Sequence, residues 1–95
     1  DDAEFLAESK RVNDAGMHLL TEGFRFLGLD WIASAGNFVC VKVGDAAAIF
    51  QGLLKKGIIV RPVAGYGMPE YLRVSIGLPE QNVRFLVALA ECLEA

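Results

Sequence analysis

The apolar positions of this chain alternate between a helical and a strand period. Phe5, Val12, Gly16, Leu20, Phe24 and Leu27 recur at steps of three, four and seven, the stripe of an amphipathic helix running to Gly28. Asp1 and Asp2 are placed to cap it. Residues 31–35 and 37–43 then read as two short extended segments broken at Ala35 and Gly36. The second, NFVCVKV, is rich in β-branched and aromatic residues, and Gly36 marks a bulge or a close backbone approach. Asp45 is the expected N-cap of a helix over 46–56, with Ile49, Leu53 and Leu54 inward, Lys55 and Lys56 in its last turn and Gly57 at C′.

The stretch IIVRPVAGYGMPEYLRVSIG, residues 58–77, predicts two strands, 58–63 and 71–76, joined by a loop in which Pro62, Gly65, Gly67 and Pro69 interrupt pairing. In the second strand Tyr71, Arg73 and Ser75 alternate with Leu72, Val74 and Ile76, so one face is apolar and the other carries a guanidinium. Pro79 suits the first position of a last helix and Glu80 its first turn, with Val83, Leu86, Ala90 and Leu93 inward. Leu78 is a poor cap for that helix.

The order is α-β-β-α-β-β-α. It predicts an α+β fold, a two-layer α/β arrangement in which helices cover one face of a small, mainly antiparallel sheet of about four strands. Residues 1–95 are expected to form a single domain. The other sheet face would carry Arg61, Tyr71, Arg73 and Ser75, a polar and aromatic set suited to lining a cleft against another domain.

Those arginines are the candidate chemistry. A hairpin centred near Gly67 sets Arg61 opposite Arg73, where side chains share a face at about 5 Å and like charges repel. A planar guanidinium there accepts a carboxylate or phosphate bidentately. The plainer alternative is that each arginine pairs with a local acid such as Glu70 or Glu80, or is simply solvated.

Composition narrows the function classes. With nine Lys and Arg against twelve acids and a net charge of -3, the chain lacks the basic face that nucleic acid requires. No run approaches the roughly 18 apolar residues of a spanning helix, and the N-terminal segment has no charged-then-apolar signal pattern, so no membrane role and a cytoplasmic location are expected. Cys40 and Cys92 form no C-x-x-C pair and read as reduced core thiols; no metal site is expected. His18 lies in a helical run with no nucleophile nearby in sequence and reads as a helix histidine.

The segments EGFRFLGLDWIASAGNF and GNFVCV, and above all V-R-P…G-Y-G…E-Y-L-R-V-S-I-G followed by Pro79, Glu80 and Asn82, resemble the C-terminal small domain of histidinol-phosphate aminotransferases, pyridoxal-phosphate enzymes of the aspartate aminotransferase fold type. The resemblance spans nearly the whole chain. It implies that Arg73 clamps the substrate α-carboxylate, that Arg61 helps bind the substrate's phosphate side, and that Asn37 lies close to the substrate, although a turn-forming role for Asn37 stays open. Leu78 departs from the family's capping threonine. The large domain, with the Schiff-base lysine and the residues that hold pyridoxal phosphate, is not recognisable here, and Lys10, Lys42, Lys55 and Lys56 sit in contexts unsuited to an imine.

The resemblance therefore implies a fragment with no catalytic residue and no bound cofactor of its own. Its parent would be a homodimer that uses pyridoxal phosphate to move an amino group between histidinol phosphate and 2-oxoglutarate in histidine biosynthesis. The alternatives are a stand-alone regulatory module for a small anion or amino acid, and the small domain of a related aromatic amino-acid aminotransferase.

Overall fold

The computed structural model describes residues 2–33, 37–63 and 67–94. Three helices and four strands follow the predicted order: α1 (Asp2–Phe26), β1 (Trp31–Ala33), β2 (Phe38–Lys42), α2 (Ala46–Lys55), β3 (Arg61–Pro62), β4 (Tyr71–Ser75) and α3 (Pro79–Glu94). The strands form one sheet in the order β1-β2-β4-β3, with every neighbouring pair antiparallel. Two-strand alternation sorts the side chains: Val39, Val41, Leu72 and Val74 are buried, and they join Leu20 and Phe24 of α1, Ile49 and Leu53 of α2 and Phe85, Ala88 and Leu89 of α3 in one apolar cluster. All three helices thus lie on one face of the sheet, as the sequence predicts. Phe24 links the layers, with its ring edge-on to Phe85 at 6.3 Å and tilted against Trp31 at 6.4 Å.

The caps of α2 follow the expected chemistry. The Asp45 carboxylate accepts the Ala48 N–H at 3.1 Å. At the other end Gly57 adopts φ +81°, and the Ile58 N–H donates to Leu53 O at 2.9 Å while the Gly57 N–H donates to Leu54 O at 3.0 Å, the Schellman arrangement. Because Ile58 is still bonded back to the helix, and because Pro62 has no N–H to donate, the expected strand over 58–63 shrinks to the two residues Arg61–Pro62.

Two inward stripes need correction. On α2 Leu54 is 45% exposed. On α3 Val83 is 49% exposed; Leu86 and Leu93 do pack against the core as expected, partly buried, while the most buried positions are Asn82, Phe85, Ala88 and Leu89. A polar residue sets that phase: Asn82, only 3% exposed, accepts the Gly77 N–H at 2.9 Å through its carbonyl and donates from its amide nitrogen to Gly77 O at 3.1 Å. Here a side-chain amide closes the turn into α3. Gln81 adds the reverse half of a capping box, its carbonyl accepting the Leu78 N–H at 2.9 Å.

The turn in turn meets α1, where a Cβ on Gly16 would collide with the Ile76 methyl Cγ2 and sit 3.0 Å from the Asn82 amide nitrogen. Gly16 therefore lets helix and turn approach. Asp1, the side chain of Phe5, and the Ala35, Gly36 and Gly65 positions of the predicted break, bulge and loop lie outside the described residues.

Candidate functional site

The sheet face away from the helices is built by the other half of each strand's alternation. Arg61 pairs across the ladder with Arg73, and Arg73 with Cys40 on β2. Phe38 lies opposite Ser75, and Lys42 opposite Tyr71. The predicted juxtaposition of the two arginines is therefore present, and both side chains are exposed.

Neither takes the local acid that the simpler reading offered. Glu70 is engaged by Lys42, with its carboxylate 3.3 Å from the ammonium, and among the described residues no acid lies within ion-pair distance of Arg61 or Arg73. Two arginines paired across the ladder, with no acid in ion-pair distance of either among the described residues, leave a local excess of positive charge on an acidic chain. Such an excess attracts an anion with at least two acceptor oxygens.

Arg73 does have one close neighbour that the sequence reading missed. Its guanidinium carbon lies 4.5 Å from the centroid of the Phe38 ring. The signal was legible: alternation through FVCVK sets Phe38, Cys40 and Lys42 on the face opposite Val39 and Val41, which leaves a large aromatic ring among polar neighbours.

Asn37 stands apart from this pair. Its carbonyl accepts the Ile76 N–H at 2.8 Å and extends the β2/β4 ladder by one bond. By alternation its side chain falls on the side of Val39, away from Phe38 and Arg73.

Lys10, Lys42, Lys55 and Lys56 all lie at the surface. A nucleophilic amine must be free of its proton, but hydrogen bonding and charge from Glu70 raise the Lys42 pKa above the ordinary lysine value. Lys56 lies 3.7 Å from Glu91, and Lys10 and Lys55 are exposed on helices. Among the described residues no group of His, Cys, Asp and Glu could hold a metal, and no helix is long and apolar enough to cross a membrane.

The family model for aminotransferase class I and II matches residues 1–89. The chain belongs to that family. This chain is 60% identical over 93 residues to histidinol-phosphate aminotransferase 2 of Pseudomonas fluorescens (strain Pf0-1), covering 97% of this chain and 25% of that protein. It is 55% identical over 94 residues to the histidinol-phosphate aminotransferase of Methylobacillus flagellatus, covering 99% of this chain and 26% of that one. The chain thus spans about a quarter of the length of the curated relatives it matches. Among solved structures, the histidinol-phosphate aminotransferase of Clostridium acetobutylicum superposes with a TM-score of 0.85 over 99% of this chain and 30% of that one; at 20% identity that likeness concerns the fold.

Proposed function

We propose that this chain is the C-terminal small domain of a histidinol-phosphate aminotransferase, one domain over residues 1–95, and that its helix-free sheet face is the wall it turns toward the substrate. The observation that carries the reading is the cross-strand pair Arg61 and Arg73, exposed and without an acidic partner among the described residues. The shared name of its relatives favours this reading over a stand-alone sensing module and over an aromatic amino-acid aminotransferase.

The whole enzyme transfers an amino group between histidinol phosphate and 2-oxoglutarate. Glutamate presents an α-carboxylate, and the planar fork of Arg73 binds it through two parallel N–H···O bonds. Histidinol phosphate carries a methylene phosphate ester in place of that carboxylate, so its charge lies farther from the amino-bearing carbon, and Arg61 helps to hold it. Asn37, at the end of the β2/β4 ladder, is the third position the family resemblance implies; its backbone carbonyl holds the Ile76 end of β4, the strand that carries Arg73. The two arginines work on alternate substrates, and proximity of the bound group to the reacting centre is what they contribute.

Pyridoxal phosphate supplies the electron sink and is held by the large domain, outside this chain. The partner of this lobe is therefore that large domain, and the parent acts in the cytoplasm as a homodimer. With no lysine suited to an imine, the 95-residue chain alone is inactive in transamination.

The test is a substrate comparison with the full-length protein. Transfer from histidinol phosphate to 2-oxoglutarate is expected to exceed transfer from phenylalanine in kcat/KM; a preference for phenylalanine would assign the domain to an aromatic amino-acid enzyme.

A further inference from the structure

An arginine on an exposed strand has many rotamers to lose before it can bind a carboxylate through both of its N–H edges. The neighbours of Arg73 restrict that freedom in a directional way. On the β3 side stands Arg61, directly opposite, whose like charge disfavours any rotamer leaning that way. On the β2 side stand Cys40, directly opposite, and two diagonal neighbours on the same face: Phe38, which pairs with Ser75, and Lys42, which pairs with Tyr71 and whose ammonium lies 3.3 Å from the Glu70 carboxylate. Repulsion from one side and the negative face of an aromatic ring on the other both draw the cation toward β2, where it is found 4.5 Å from the ring centroid. The ring has no acceptor for the guanidinium's N–H groups, so the contact places the cation without consuming the donors a ligand needs.

We propose that Phe38 is a positioning residue for Arg73: its ring holds the guanidinium in one place over β2, and so sets the affinity for the carboxylate-bearing substrate. The inference rests on the reading of Arg73 as the carboxylate clamp. A residue that only filled space at the sheet surface would affect both substrates alike, whereas a residue acting through Arg73 affects the one that Arg73 binds. Phe38 carries no reacting atom, and its influence falls on ground-state binding.

The experiment uses the full-length enzyme with Phe38→Leu, Phe38→Tyr and Arg73→Ala, measuring KM and kcat for glutamate and for histidinol phosphate separately. Phe38→Leu, which keeps apolar bulk but removes the ring, is expected to raise the KM for glutamate by about two- to fivefold. The KM for histidinol phosphate should move by much less. Phe38→Tyr, which keeps the ring face, should restore the glutamate value. An unchanged glutamate KM in Phe38→Leu, or an equal rise for both substrates, overturns the role of Phe38. Arg73→Ala separates the two levels: if it leaves glutamate kinetics intact, the carboxylate-clamp reading itself fails, and if it abolishes them while Phe38→Leu does nothing, only the positioning role fails.

Discussion

Arg61 stands directly across the β3/β4 ladder from Arg73, two like charges in a register where opposite charges would stabilise. The pairing is a local cost that the fold does not need. Replacing Arg61 with Gln removes the repulsion and keeps a polar side chain, so the isolated lobe should gain about 0.2–1 kcal/mol in a urea titration, with a smaller gain at high salt where the charges are already screened. Such trade-offs between stability and a binding site are common. A loss of stability would mean that Arg61 makes a structural contact.

The turn into α3 yields a second expectation. Gln81 already accepts the Leu78 N–H at 2.9 Å, so the chain carries one half of a capping box and Leu78, itself 53% exposed, lacks the hydroxyl for the other. Leu78→Ser completes the box and should stabilise the domain by about 1 kcal/mol, visible as a higher thermal midpoint. In the same turn, Asn82→Ala strands both polar groups of Gly77, with an expected loss of about 2 kcal/mol. Equal stability of the Asn82→Ala and parent proteins would show that water replaces the amide.

Close approach of α1 to that turn makes Gly16 intolerant of a side chain. A Cβ there meets Ile76 and the Asn82 amide, which its two hydrogen bonds hold in place. Gly16→Val should cost about 2–3 kcal/mol in equilibrium unfolding, by overpacking and by pushing Asn82 off Gly77. A neutral result would mean that α1 slides along the turn without penalty.

Lys42 and Glu70 give a pH-dependent expectation. The hydrogen bond and charge of Glu70 raise the Lys42 pKa above the ordinary lysine value of 10.5. The folded-state pKa exceeds the unfolded one, so the pair's contribution is complete below the unfolded value and fades as pH rises through the folded value, in the range above 10.5. Both groups are exposed, and the effect on stability is correspondingly small. An NMR titration of the Lys42 side chain should therefore show its midpoint falling in Glu70→Gln; an unchanged midpoint would exclude the pair.

Much of this architecture was legible in the sequence because its signals are local. Asp45 and Gly57 bracket α2 by cap chemistry, and the alternation from Tyr71 to Ser75 sorted the two faces of β4. The centre of the hairpin was enough to place Arg61 against Arg73. The phase of α3 was legible only in part: Leu86 and Leu93 pack against the core as expected, but Val83, Phe85, Leu86, Val87, Leu89 and Leu93 leave apolar residues on nearly every side, and the burial of Asn82 in place of Val83 depends on Gly77 and on the approach of α1. Propensity reads 58–60 as strand, yet Ile58 remains tied to the end of α2. The face of Phe38 was legible from the alternation of FVCVK, but its contact with Arg73 was not, since it joins two strands whose neighbourhood, β2 against β4, is set by tertiary pairing.

The central claim is that Arg73 binds the substrate carboxylate, and steady-state kinetics of Arg73→Lys in the full-length enzyme tests it most directly. Lysine keeps the charge but loses the planar two-donor fork, so kcat/KM for glutamate should fall by roughly two orders of magnitude or more, while the KM for histidinol phosphate changes far less. Near-normal kinetics with glutamate would contradict the account and leave the arginine face without its proposed ligand.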